Sequence, residues 1–307
     1  MIIDVAPLQA SDLREACRIF NVAFGTFLGV PDPSQTFGDR DMVSPRWKAN
    51  PAGVLAARAE ERLIGSNIVS RWGSFGFFGP LTVLPEFWDQ RVGQKLLEPT
   101  IEILDGAGVR HSGLFTFSHS AKHVGLYQKF GYWPRYLTAI MVKTPQPGGA
   151  APTLLSSAPG KEEAIRACGE LTDSIYSGLD VSSEIRAVLD QKLGDIVLNY
   201  SGRLDAFAIC HVGAGSEGGS GRCYVKFGAA RGGPGAGQRF DKLLDACESF
   251  AALHGALIEA GVNLAREDAY RRMRARGFRT VTQGVAMQRP HEEGFNRAEV
   301  YAIDDWR

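Results

Sequence analysis

The chain lacks net charge: 34 lysines and arginines balance 34 aspartates and glutamates over 307 residues. With no global field to draw it to nucleic acid or an anionic membrane, any anionic ligand must be gripped locally. Cysteine is sparse. The five cysteines, at 17, 168, 210, 223 and 247, are odd in number, widely spaced and without a CxxC pair, which argues against a disulfide framework and against a zinc site. They read as reduced core residues. Long apolar runs are missing as well: none reaches the ~18 residues of a membrane span, and the opening MIIDVAPLQASDL has no basic stretch leading into an apolar one. The sequence therefore predicts a soluble, cytoplasmic protein with no metal, no nucleic acid and no membrane as partner.

What is present is ordinary globular material, 44% hydrophobic and 22% charged, enough for a sizeable core. The length exceeds the ~100–200 residues of one typical domain. The stretch KTPQPGGAAP at 143–152 suits neither helix nor strand and reads as a linker. Domains are thus expected at 1–143 and 153–290, joined by a linker at 144–152 and followed by a tail at 291–307. In the first, periodicity predicts a helix over 11–24 capped by Ser11, an irregular stretch to Trp47, a hairpin of strands 53–59 and 63–72, and a strand 74–84 with Pro80 at a bulge or edge. A helix over 93–104, a strand 112–117, a helix 121–130 and a strand 135–142 complete it. The second half repeats that order: helices 161–177 and 182–192, strands 195–200, 204–212 and 222–227, helix 238–254, strand 256–262, helix 266–276 and strand 279–288. LYQKFGYWPRYLTAIMVKTP at 126–145 lies over RRMRARGFRTVTQGVAMQRP at 271–290, with Gly131-Tyr132 over Gly277-Phe278. One fold is used twice.

The segment LTVLPEFWDQRVGQKLLE at 81–98 carries the most chemistry. An apolar strand runs through Pro85 and a short loop into an amphipathic helix at Gly93. Such a junction aims several free backbone N–H groups at one spot, backed by the positive end of the helix dipole. It is an anion socket, to which Arg91 and Lys95 can add charge. Pro99 inside the helix predicts a kink. Further on, LYQKFGY at 126–132 places Tyr127 four residues before Gly131. A phenol is protonated at neutral pH, so Tyr127 is a candidate general acid.

These two motifs resemble the GNAT superfamily of acyl-CoA-dependent N-acyltransferases, in which V-x-P is followed by Gln or Arg three residues after the Pro, then by x-x-G-x-G/A opening a helix with paired leucines. Val83, Pro85, Gly93, Leu96 and Leu97 fall in register, and the second signature, Y-x-K-x-G-[FY], matches at Tyr127. Trp88 and Arg91 depart from it, at the Gln/Arg and first Gly positions. The resemblance implies an α/β fold of two tandem GNAT-like domains, each a mixed, mostly antiparallel twisted sheet flanked by helices, and an acetyl-CoA-dependent N-acetyltransferase. Its loop amides at Gln90, Arg91, Val92, Gly93 and Gln94 would hold the pyrophosphate of coenzyme A, and Leu81, Thr82 and Val83 would hold the pantetheine arm. Tyr127 would protonate the departing thiolate of acetyl-CoA while a small-molecule amine attacks directly. Arg91 would be strained if its position required positive φ.

Other features are weighed beside these. His119 and His123 share a helix face with Tyr127, but HSAKH lacks the Glu of a zinc hydrolase; a role for His123 in taking the amine proton stands against a structural one. Asp32, Asp39 and Asp41, interleaved with Phe27, Phe37 and Trp47, fall where the family builds its acceptor pocket; a wall suited to an amine and a solvated loop are equal readings of them. In the second half Met273 replaces the tyrosine, so that half should be silent. AARGGPGAGQRFDKLL at 229–244 reads as a decayed CoA loop, with retained cofactor binding there as a third reading, and GAGSEG at 213–218 reads as a flexible hairpin loop. A non-catalytic CoA-binding or regulatory module is the alternative to the enzyme. The acceptor's identity and the assembly state, a homodimer among the options, are not legible.

Overall fold

The computed structural model describes residues 2–146 and 149–307, so Pro147 and Gly148 of the expected linker lie outside the described residues. The first half runs β1 (Ile3–Pro7), α1 (Leu13–Leu28), α2 (Ser44–Ala49), β2 (Val54–Ala59), β3 (Arg62–Trp72), β4 (Phe75–Phe78), β5 (Thr82–Val83), α3 (Val92–Gly106), β6 (His111–Thr116), α4 (Ala121–Gln128) and β7 (Trp133–Lys143). The second runs β8 (Thr153–Leu154), α5 (Lys161–Ile175), α6 (Ser182–Gln191), β9 (Gly194–Ser201), β10 (Arg203–Gly213), β11 (Gly219–Ala230), α7 (Ala236–Leu253), β12 (Leu257–Asn263), α8 (Glu267–Ala275), β13 (Arg279–Arg289) and β14 (Tyr301–Ile303). The expected repeat of element order is present, except that β5 has no counterpart in the second half and β14 is added at its end. No helix among the described residues is long and apolar enough to cross a membrane.

Strand alternation explains how each half is sandwiched. In β2, Val54 and Ala56 pack toward α1 with Ile19 and Phe20, while Leu55, Ala57 and Ala59 pack toward α3 with Val92 and Leu96. The period of two thus buries both faces of the strand. The second half buries a comparable core, in which Phe240, Leu243 and Leu244 of α7 meet Ala208, Cys210 and Val225 of the sheet. All five cysteines are free, and all but Cys17 are buried.

The halves are joined by exchanged strands. The sheet runs β1-β2-β3-β4-β6-β13-β7-β12-β11-β10-β9-β8. β13, from the second half, pairs antiparallel with β6 of the first, and β7, from the first, pairs antiparallel with β12 of the second. The two exchanged strands also pair with each other. Each enters from the same kind of helix end. Gly131 and Gly277 sit at φ +82° and +89°, which only glycine adopts cheaply. There the N–H of Tyr132 reaches the carbonyl of Tyr127, and that of Phe278 the carbonyl of Met273. This left-handed cap closes both helices and turns a buried aromatic ring inward.

Several local expectations need correction. α1 begins at Leu13 rather than at Ser11, because Gln9 and Asp12 cap a preceding short 3-10 turn reciprocally. It continues to Leu28, where Gly29 at φ +69° ends it. The stretch read as irregular before Trp47 contains α2. The strand expected over 74–84 breaks at Gly79–Pro80 into β4 and β5, consistent with a proline that cannot join a ladder. α3, by contrast, runs through Pro99 as the helix expected over 93–104 does.

Candidate active site

β4 pairs in parallel with β6 from Phe75↔His111 to Phe77↔Gly113, and no farther. Beyond the Gly79–Pro80 break, β5 follows β3 (Ser66↔Thr82, Gly65↔Val83), whereas β6 continues alongside β13. Two parallel strands that part in this way leave a wedge whose walls carry backbone groups without a sheet partner. Leu84 N–H donates to the Ile64 carbonyl at 2.9 Å. Antiparallel alternation therefore turns the N–H and C=O of Val83 away from β3, into the wedge. The Val83 carbonyl is taken there by the indole N–H of Trp88 at 2.7 Å, while Thr82 directs its hydroxyl to Ser66 at 3.1 Å.

The loop that follows leaves a run of amides free. Among the described residues, the amides of Asp89, Gln90, Arg91, Val92, Gly93 and Gln94 make no hydrogen bond; the first return contact is Lys95 N–H to the Arg91 carbonyl. α3 has no side-chain cap, and Arg91 stands at its N-cap with φ +64°. The left-handed geometry is kept without glycine, at a cost of roughly 1–2 kcal/mol. Asp89 is also left-handed, at φ +63°. Gln90 ties its side chain to the Glu86 carbonyl at 2.9 Å. A Cβ on Gly93 would rest 3.4–3.5 Å from Leu126 and Leu81, so this residue is where the strand, the α3 terminus and α4 converge. Asp89 pairs with Lys122 of α4 at 2.6 Å, and the Lys122 ammonium lies 5.9 Å from the Trp88 ring.

Tyr127 of α4 is packed in one apolar cluster with Phe78, Leu81 and Leu97. It is 8% exposed, packed beside Phe78 with ring centroids 5.9 Å apart. Burial pushes its phenol up to about 12, opposed by a hydrogen bond with the Thr116 side chain at the end of β6. It is protonated at any physiological pH. Against a thiol near 8.5, delivering that proton is uphill by about 5 kcal/mol, more than the ~2 kcal/mol of an ordinary phenol. One turn earlier, His123 is half-buried beside Phe27, ring centroids 5.0 Å apart. Burial, with help from Lys122 and His119, holds its pKa below the usual histidine value, so it is neutral at pH 7 and its buried Nδ1 has no partner among the described residues. The exposed His119 lies farther out along the same aromatic wall, 6.0 Å from Phe27.

The aspartates expected to line an amine pocket are committed elsewhere. Asp32 caps a short turn through Ser34. Asp41 accepts from the N–H groups of Val43 and Ser44 at the start of α2. Asp39 accepts from Ser220 of the second half. The segment around 213–218 is correspondingly not a flexible loop. Gly215 N–H donates to Asp39 and Asp41 N–H to Ser216, and Glu217 is wholly buried. Glu217 holds both nitrogens of the Arg46 fork at 2.6 and 2.9 Å and Lys226 at 2.5 Å. Burial pushes its carboxyl up, but Arg46 and Lys226 outweigh that and hold it well below the usual range. Glu184, His211 and Glu217 bring three potential ligand atoms within 4.8 Å of one another, but the Lys226 ammonium already contacts both carboxylates. Sequence reading missed this cluster. An acidic residue inside a Gly-Ser stretch gives no sign of burial.

The second half has the same wedge, filled. β11 and β12 pair in parallel from Arg222↔Leu257 to Val225↔Ala260. Where they would part, β14 enters against β11 (Gly228↔Ile303 to Ala230↔Tyr301), and Asp304 N–H donates to Gly261 of β12. At the start of α7, the Arg272 guanidinium lies over Gly237, 2.4 Å from where a Cβ would stand, anchored by Asp268 and Asp241. The 229–244 segment thus keeps the loop-to-helix shape with its approach covered.

The Acetyltransferase (GNAT) family model matches residues 16–132. Similar solved structures include a candidate acetyltransferase from Pyrococcus horikoshii (15% identity, TM-score 0.73, covering 99% of this chain and 95% of that one). A GCN5-related N-acetyltransferase from Sphaerobacter thermophilus (16%, 0.61, 94% and 95%) and one from Anabaena variabilis (14%, 0.53, 94% and 72%) are similar too. At these identities the likeness is one of fold, and it spans both halves. No curated protein sequence matches the chain.

Proposed function

From a chain whose residues 16–132 match the Acetyltransferase (GNAT) family model, we propose an acetyl-CoA-dependent N-acetyltransferase with its chemistry in the first half and a small-molecule amine as acceptor. One observation carries the reading: among the described residues, six consecutive unbonded amides at the start of α3 follow directly on β5, the strand that stays with β3 where the β4–β6 pairing has ended. The amides of Asp89 to Gln94 hold the diphosphate, and Lys95 adds charge. The pantetheine arm follows Leu81–Val83 and brings the thioester carbonyl to the Val83 N–H, which steadies the oxyanion. The neutral amine nitrogen bonds to the carbonyl carbon and the carbon–sulfur bond breaks. Tyr127 gives its proton to the departing thiolate, and His123 takes the proton released by the amine. The uphill transfer from a phenol near 12 is offset by forming the amide in the same step.

The test is calorimetric titration of coenzyme A, together with acetyl-CoA turnover over a panel of amines for the wild type and Tyr127→Phe. Binding by both proteins with turnover by the wild type alone supports the reading. Absence of binding to the wild type ends it. The second reading, a non-catalytic CoA-binding module, is favoured by Trp88, which takes the Val83 carbonyl; it predicts binding without turnover on any acceptor.

A further inference from the structure

The wedge opens at the break between β4 and β5, and one buried side chain holds that break. Arg46 of α2 donates through Nη1 to the Gly79 carbonyl at 2.8 Å, directly before the Pro80 that ends the β4–β6 pairing. Its Nε and Nη2 donate to the two carboxylate oxygens of Glu217 at 2.9 and 2.6 Å, and Nη2 also reaches the Arg307 carbonyl at 2.5 Å. Neither side chain is more than 4% exposed. The planar guanidinium can grip a carboxylate bidentately on one edge and a carbonyl on the other, which an ammonium cannot do. Every partner of this fork other than Gly79 comes from the second half. A buried carboxylate and guanidinium do little for stability compared with apolar residues of the same shape, so stability alone gives no reason for them at this spot.

Resting on the function proposed above, we infer that Arg46 and Glu217 are positioning residues: the silent half, through Glu217 and Arg46, fixes the Gly79 carbonyl and with it the Leu81–Val83 edge on which the pantetheine arm is laid. This gives the second half a part in cofactor binding without a cofactor of its own. Lys226 provides the internal control. It contacts the same Glu217, at 2.5 Å, and Glu184, at 2.9 Å, at equal depth, but among the described residues it makes no hydrogen bond to Gly79.

The test compares Arg46→Lys with Lys226→Met, reading the melting temperature and the Kd for coenzyme A in each. Both variants should melt earlier than the wild type. Arg46→Lys, which keeps the charge beside Glu217 and loses the fork, should weaken coenzyme A about tenfold, whereas Lys226→Met should stay within about twofold. Equal weakening in the two would make the effect one of general packing, and an unchanged Kd in Arg46→Lys would refute the assignment outright. Should Arg46→Lys not fold, Glu217→Gln keeps the side chain's shape and is judged by the same Kd. A wild type that ignores coenzyme A would instead overturn the function beneath the inference, so the two failures are distinguishable.

Discussion

The two wedges differ in one respect that decides what each can do. Both arise where parallel strands part beside the start of a helix. In the first half no strand enters among the described residues, with β5 drawn back onto β3 and the loop amides unbonded; in the second, the chain's own β14 lies between the strands and Arg272 covers the helix terminus. The tail is itself held by charge. Glu259 on β12 gathers Arg307, Arg40 and Arg222 at 2.9–3.0 Å, and Tyr224 donates to Asp305 at 2.9 Å. The lesson is that a repeated fold need not repeat its backbone pairing. One copy leaves this stretch of backbone unpaired among the described residues, and the other satisfies it internally.

The largest expected effect is on chemistry. Tyr127→Phe should lower kcat by about 10²–10⁴-fold with the Kd for coenzyme A unchanged, while Met273→Tyr, its counterpart in the filled wedge, should leave turnover alone. Steady-state kinetics on the two variants would break the comparison if Met273→Tyr altered rate as much as Tyr127→Phe. Next comes the lock on the tail. Burial pushes the Glu259 carboxyl up, but Arg307, Arg40 and Arg222 bring it from the ordinary 4.5 down to about 2. A carboxyl depressed in the folded state stabilises above its unfolded pKa and loses that contribution as pH falls through the folded value. Roughly 3 kcal/mol should therefore vanish between pH 4.5 and pH 2. Glu259→Gln should flatten that part of the stability curve in urea melts at stepped pH; an unaltered slope would remove Glu259 from the lock.

Smaller effects bear on the cofactor site. Gly93→Glu should cost about 1.4 kcal/mol or more in coenzyme A binding, a tenfold rise in Kd, by setting a negative charge against a diphosphate. Gly237→Glu should disturb Arg272 without changing that Kd, and calorimetry should give one site per chain. The reverse pattern would move the cofactor to the second half. Trp88→Phe, which frees the Val83 carbonyl, should shift the Kd by no more than about fivefold, a change that a direct titration can resolve.

Much of the fold was readable from residue patterns because it rests on local rules. The Gly131-Tyr132 and Gly277-Phe278 pairs marked two equivalent helix ends, and Pro80 marked an irregularity in the strand expected over 74–84, which the structure shows as a full break. The loop from Gln90 to Gln94 was legible as a run of free amides, since unbonded N–H groups at a helix start follow from backbone geometry alone. Other features were not. Asp32, Asp39 and Asp41 looked like an acidic wall, yet composition cannot tell a carboxylate facing a ligand from one bonded to nearby N–H groups. Glu217 and β14 gave no signal, as their roles depend on partners far away in the chain.

The order of elements, the apolar periodicity, the left-handed glycine caps and the helix-start loop were dictated by the sequence itself, through steric and hydrogen-bonding rules that act over a few residues. Tertiary structure alone decided that β7 and β13 change places, that the tail fills the second wedge, and that Arg46 ties the first wedge to Glu217. Those choices depend on which distant groups can be buried together with their hydrogen bonds and charges satisfied, and that balance is struck only when the whole chain has packed.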